Sequence, residues 1–308
     1  MALALLAGGA SCARPAPHPG AEPTAGAPPP GAPRGRDGHG GGSAGGARDG
    51  GRGRDAPARG AVALGAPAAP DGGQPAPRWV GALPAAESEW CRPHLRALDD
   101  ETCVVVPDAE STELLVHLHG IVPPAGASAV QANLQRVVSS AALRAGVTAV
   151  LPRGVQGLAP RGHDGWWGWP TSARAYDRHG AALVERLVEV RARLERLRGS
   201  PFRRAYVVGS SSGAYFVALL AWRGALAADG WGALSGGGVV SGAAASGARA
   251  PFYLGYGDRD SVGASVRALG AALGREGFPI ELAAHPTGHG VREAYLDEAL
   301  RFFRSKAR

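Results

Sequence analysis

Residues 204–222 read RAYVVGSSSGAYFVALLAW, and no other stretch restricts the fold of this chain so tightly. Residues 205–208 are short, β-branched and aromatic, as a buried strand requires, whereas residues 214–222 have the length and Ala/Leu content of a helix. Only glycines and serines stand between them, so the strand must turn directly into the helix. Read as G-x-S-x-G, the turn is Gly209-Ser210-Ser211-Ser212-Gly213, in which the middle serine sits on strained backbone with its hydroxyl exposed. Ser211 is the candidate nucleophile. The flanking glycines allow the close strand–helix packing, free of Cβ clashes, that such a turn needs. With 48 glycines in the chain the pattern also arises as a plain small-residue turn, so the surrounding order has to decide.

That order is an alternation. ELLVHLHG (113–120) and VTAVLP (147–152) read as buried strands around a helical segment at 127–144. AALVERLVEVRARLERLRG carries Leu183, Leu187, Val190, Leu194 and Leu197 at helical spacing and stops at Gly199. GALSGG and APFYLGYG follow as strands, then a helix at 262–273, the strand FPIELAA and a last helix at 291–303. Strands alternating with helices predict an α/β fold: a mostly parallel sheet with helices on both faces and ligands at the carboxyl ends of the strands.

The first quarter differs in kind. Residues 13–78 are almost entirely Gly, Ala, Pro and Arg, a composition that cannot bury enough apolar surface to offset its ordering entropy, and are expected to form a disordered tether. Residues 79–308 are then a single catalytic domain. The net charge of +7 invites a nucleic-acid reading, but Lys306 is the only lysine and the arginines sit singly beside glutamates, as in VERLVEVRARLERLRG. No basic run with interleaved aromatics is present, and nucleic acid is not expected as a partner.

Candidate chemistry gathers at strand ends. His119-Gly120 closes one strand, and the loop GIVPP follows. Pro123 and Pro124 have no N–H, which leaves Ile121 and Val122 as donors; Ile121 is favoured, with the N–H of Ser212 as its partner in an oxyanion hole. His117, two residues earlier, is expected to be structural. Downstream, FYLGYGDRDSVG offers Asp258 and Asp260, and HPTGHGV offers His285 and His289. A serine nucleophile needs a base, and the base an orienting carboxylate, so the order Ser, Asp, His matches that requirement. Trp166, Trp167 and Trp169 in RGHDGWWGWP are candidates to wall a substrate pocket with His119, or alternatively to fill the core beside the long helix. His163 and Asp164 in the same loop find no third ligand at suitable spacing, so no metal is expected, and no cofactor.

The cysteines divide in a similar way. Cys12 follows the short apolar run MALALLAGGAS, and this start resembles the lipobox of bacterial lipoproteins, in which the cysteine is lipidated. Under that resemblance residues 1–12 are a signal segment, a lipid anchor is the only membrane attachment, and the protein belongs to the bacterial cell envelope or is secreted. Cys91 and Cys103 are then free to form one disulfide in an oxidising compartment.

Taken together, these motifs resemble the α/β-hydrolase superfamily, and more narrowly the secreted esterases of the polyhydroxybutyrate-depolymerase, feruloyl and acetylxylan esterase type. The likeness rests on His119-Gly120, DGWWGWP, the helix at 177–198, the turn at 209–213, Gly257-Asp258-Arg259-Asp260 and Gly288-His289. It implies a triad of Ser211, Asp260 and His289 acting on carboxylic esters through an acyl-enzyme, with a small-molecule or polysaccharide-linked ester as substrate. The chain departs from that family at Ala214, where a second glycine is usual, and at Pro123-Pro124. A serine peptidase or thioesterase would use the same triad, and a glycan-binding lipoprotein with an inactive hydrolase fold is the non-enzymatic alternative. Nothing in the sequence sets the oligomeric state.

Overall fold

The computed structural model describes residues 62–63, 79, 81, 83, 89–124, 128–160, 162–238, 240 and 242–307. The expected signal segment with Cys12, and all of the expected tether except Val62–Ala63, lie outside these residues. Val62–Ala63 (β1) pairs in parallel with Leu226–Ala227, which puts a strand pairing inside the stretch expected to be tether. From there the chain runs β2 (Arg96–Asp99), β3 (Thr102–Val105), β4 (Glu113–Leu118), α1 (Ala129–Ala145), β5 (Thr148–Pro152), β6 (Val155–Gln156), β7 (Trp167–Gly168) and α2 (Ala173–Arg198). It continues through β8 (Arg204–Ser210), α3 (Ser212–Arg223), β9 (Leu226–Ala227), β10 (Gly230–Leu234), β11 (Phe252–Gly257), α4 (Gly263–Arg275), β12 (Ile280–His285) and α5 (Glu293–Lys306).

Helix ends follow local chemistry. α1 and α2 start at Ser128 and Ser172, whose hydroxyls accept from the N–H groups of Gln131 and Ala175, and stop at Gly146 and Gly199 with φ of 64° and 79°.

Eight strands form one sheet in the order β12-β11-β10-β8-β4-β5-β3-β2. Every pairing from β12 to β5 is parallel, as the alternation of strands and helices predicts. The far end is antiparallel: β3 pairs with β5, and β2 with β3. Sequence reading misses this hairpin because its strands have four residues each, too few for a period of two to register. The Cys91–Cys103 disulfide ties the segment ahead of β2 to β3.

Side-chain alternation divides the core into two layers. Leu114, Val116 and Leu118 of β4, with Ala205 and Val207 of β8, pack on the side of α2, α3 and α4. Leu115, Tyr206 and Val208 pack on the side of α1 and α5. Since β4 is flanked by β5 on one side and β8 on the other, the winding direction reverses at β4, which leaves a crevice at the carboxyl ends of β4 and β8.

The β8–α3 turn reaches this crevice only because two positions lack a Cβ. A Cβ on Gly209 would lie 2.3 Å from the Gly213 carbonyl group, and one on Gly213 would lie 2.2 Å from the Leu118 carbonyl oxygen. Gly213→Ala is expected to cost about 1–3 kcal/mol, the range for forcing atoms into a filled site. Gly274 in α4 has nothing within 4 Å of its Cβ position, so Gly274→Ala should stabilise by roughly 0.5 kcal/mol through helix propensity. Urea unfolding of the two variants checks the contrast in sign.

Candidate active site

Ser211 stands between β8 and α3 with φ 51° and ψ −116°, a conformation that non-glycine residues rarely adopt and that costs about 1–3 kcal/mol. Its N–H donates to the Leu234 carbonyl (2.9 Å) and the Gly213 N–H donates to the His119 carbonyl (3.1 Å), so the turn is bonded to both neighbouring strand ends. Gly120 lies directly against it: a Cβ there would come within 3.1 Å of the Ser211 Cβ.

Three loops then converge. Ser211 Oγ lies 3.1 Å from His289 Nε2, and His289 Nδ1 lies 2.9 Å from Asp260 Oδ2. With the Nδ1 proton donated to the carboxylate, Nε2 is left as an acceptor for the serine hydroxyl. Asp260 is buried, its Oδ1 accepts from the Val262 N–H (3.2 Å), and its own N–H donates to the Gly257 carbonyl. Asp258 is exposed and pairs with Arg259, while His285 bonds Glu298, so neither of these alternatives meets Ser211. The turn of chain that buries Asp260 exposes Asp258 two positions earlier.

The backbone donors sort in the same way. The Val122 N–H is taken by the Trp167 carbonyl (2.9 Å) and the Gly213 N–H by His119. Ile121 lines the same cavity as Ser211, and Ser212 is the first residue of α3; among the described residues neither N–H has a bonded acceptor.

The proposed pocket wall needs correction. Of His119, Trp166, Trp167 and Trp169, only Trp166 lines the cavity that holds Ser211 and His289. Trp169 is 1% exposed and stacks on Phe216, filling the core beside α2. Trp167 borders a separate crevice, with the Arg153 guanidinium 4.0 Å from its ring centre. His119 is buried between Trp90 and Trp169. The physical reason is loop geometry: Trp167 lies in the two-residue strand β7 with Trp166 and Trp169 flanking it, and no periodicity can be read over so short an element. His163 packs edge-on against Trp166 rather than standing free in solvent.

Sequence reading did not single out Ser235. It is fully buried at the end of β10, has φ 46°, and its N–H bonds the Gly255 carbonyl (2.7 Å). Its hydroxyl donates to the Gly290 carbonyl (3.0 Å) and accepts from the Gly290 N–H (3.3 Å), bracing the residue next to His289. The only local signal was a serine placed ahead of three glycines at a strand end.

Two buried histidines underlie the site. The His119 Nε2 accepts from the Gly154 N–H (2.7 Å) while Nδ1 meets the Gly120 carbonyl, so the ring is neutral. Burial pushes its pKa down to about 4, helped by the nearby charges of Arg186 and Arg153 and opposed by the Gly120 bond. His117 is pushed down to about 3, mainly by burial, and neither of its nitrogens has a partner among the described residues. Because both folded pKa values lie below the ordinary value of 6.5, the unfolded chain binds more protons as pH falls. Stability is therefore full above pH ~6.5 and is lost progressively below it, by about 2 kcal/mol per histidine between pH 7.5 and 5. Urea unfolding at those two pH values should show the loss, and His117→Leu should remove about half of it.

No protein-family model matches the sequence, nor does any curated protein. Solved structures do share the fold. A carboxylesterase from Mesorhizobium loti aligns with TM-score 0.52 at 20% identity, over 69% of this chain and 99% of that one. A Bacillus cereus carboxylesterase aligns with TM-score 0.49 at 14% identity, over 69% of this chain and 94% of that one. Esterase PE8 aligns with TM-score 0.48 at 20% identity, over 66% and 97%. The Mesorhizobium loti likeness shows that the chain has the α/β-hydrolase fold. The polyhydroxybutyrate-depolymerase, feruloyl and acetylxylan types are not named among these three.

Proposed function

We propose that this α/β-hydrolase fold is a serine hydrolase that cleaves carboxylic esters. One observation carries the reading: Ser211, His289 and Asp260, from three separate loops, form a continuous hydrogen-bonded chain beside a cavity lined by Ile121, whose N–H, like that of Ser212, has no bonded acceptor among the described residues. The description of the Mesorhizobium loti structure as a carboxylesterase supports the same class. In this mechanism Ser211 Oγ attacks the ester carbonyl carbon as His289 Nε2 takes its proton. The N–H groups of Ile121 and Ser212 receive the negative charge on the carbonyl oxygen. The intermediate then collapses, the C–O bond to the alcohol breaks, and His289 returns the proton to the departing alcohol. Water attacks the acyl-enzyme by the same route, losing a proton to His289, which passes it to Ser211 Oγ as the bond to the acyl carbon breaks and the acid leaves. Asp260 holds the imidazole in the tautomer that makes both transfers possible and stabilises the imidazolium between them.

The cavity is mostly apolar, about 490 Å³, with Ile121, Val130, Leu134, Trp166 and Val291 in its wall. Such a lining suits an aliphatic or aryl segment of an ester. The Cys91–Cys103 disulfide supports an oxidising compartment as its setting.

A panel of 4-nitrophenyl esters, acyl thioesters and peptides tests the reaction class, with ester turnover expected. Ser211→Ala should abolish turnover and fluorophosphonate labelling. Asp260→Asn should lower kcat by roughly a thousandfold or more, the scale seen when the orienting carboxylate of such a triad is neutralised. Asp258→Asn should stay within about twofold because the exposed Asp258 carboxylate does not meet His289. Labelling at Ser210 or Ser212, or a larger loss at Asp258, would overturn the assignment.

A further inference from the structure

Two side chains in the cavity wall offer N–H donors beside the residues that meet at Ser211. Asn133 and Arg292 line it together with Ser211 and His289. The Asn133 Oδ1 already accepts from Arg136 Nη2 (3.0 Å), which leaves its amide N–H groups for a ligand. The Arg292 guanidinium folds back over Gly290, so that a Cβ at Gly290 would lie 3.3 Å from Nη1, and its one hydrogen bond among the described residues is to the adjacent Val291 carbonyl (3.1 Å).

Among the described residues the exposed Arg292 has no acidic partner. The neighbouring Glu293 is held by Arg136 and Arg144 on the α1 side, and no carboxylate of the described residues pairs with Arg292. Apart from the titratable ring of His289, Arg292 is the only ionisable side chain in the described lining. Apart from Asn133 and the two serines the rest of the described wall is apolar or glycine, so a negative charge on a ligand in this space is drawn to Arg292.

We propose that Arg292, assisted by the Asn133 amide, selects esters whose apolar segment ends in a carboxylate: monoesters of dicarboxylic acids or similar ω-carboxy acyl groups. This rests on the ester-hydrolase reading of the same site. A planar guanidinium matches a carboxylate with two parallel N–H···O bonds, and the apolar wall suits the chain that joins such a group to the scissile carbonyl. The selection acts on binding, and therefore mainly on KM.

The test uses the full chain and mono-4-nitrophenyl esters of adipic and suberic acid, each paired with its neutral methyl 4-nitrophenyl diester. The quantity read is the ratio of kcat/KM for the acid to kcat/KM for its diester, taken within one protein preparation so that the active fraction cancels. For the wild type a ratio of about ten or more is expected at one chain length at low ionic strength, falling as salt screens the pair. Arg292→Gln should bring the ratio near one, and Arg292→Lys, which keeps charge without the fork, should fall between. Neutral diesters turned over by a fluorophosphonate-reactive enzyme whose ratio stays near one at both lengths overturn this assignment alone. A high ratio that survives Arg292→Gln overturns it equally. If neither member of any pair is hydrolysed, the ester-hydrolase reading falls and this assignment with it.

Discussion

The strained backbone at Ser211 is the constraint on which the other features of the site depend. A residue with positive φ at the join of β8 and α3 is tolerated because the surrounding contacts leave it no alternative. The Ser211 N–H is bound to the end of β10, the Gly213 N–H to the end of β4, and Gly209, Gly120 and Gly236 remove the Cβ atoms that would push the turn outward. The same geometry exposes the Ser211 hydroxyl and leaves the Ser212 N–H at the start of a helix, where positive potential is concentrated. A relaxed turn would lose both at once.

A second strained serine repeats the device one strand away. Among the described residues only Ser211 and Ser235 are non-glycines with positive φ, and they end the adjacent parallel strands β8 and β10. Ser235 holds both polar groups of the Gly290 peptide, so the loop carrying His289 is registered against the sheet instead of hanging from β12 and α5 alone. Below that loop, Glu298 accepts from Tyr253 (2.6 Å) and meets His285 (3.1 Å), and Thr287 bonds Tyr295 (2.8 Å). Burial and the adjacent Glu298 carboxylate drive the Tyr253 pKa upward, which keeps this hydroxyl a donor. Strand ends, a serine hydroxyl and a carboxylate network thus fix an imidazole whose own side chain is half exposed.

The electrostatics of the crevice follow from what lies behind it. Two neutral imidazoles, His117 and His119, occupy β4 and its end, where a charged group would face the sheet core without water. Positive charge is placed instead at the rim, on Arg292, and the buried carboxylate Asp260 sits behind His289. The cavity thus combines an apolar wall with donors on Asn133 and Arg292 and the hydroxyl of Ser211.

The sequence by itself determined the alternation of strands and helices, the strand-to-helix turn at residues 209–213 and the short set of residues from which a site could be built. These are local properties: helical spacing through Leu183–Leu197, capping serines and glycines, and a Gly/Ser turn leave their marks within a few residues. Tertiary structure alone decided which residues meet. Asp258 and Asp260 are equivalent in composition, and His285 and His289 are also, but burial and the course of two loops brought only one of each to Ser211. Trp166, Trp167 and Trp169 were divided among cavity, side crevice and core by loop geometry that has no periodicity to read. The bond from Ser235 to Gly290 spans 55 residues, and Glu293 is held by Arg136 and Arg144 of α1, far away in the chain. Contacts between residues so far apart in the chain are set by packing of the whole domain, and a one-dimensional pattern carries no record of them.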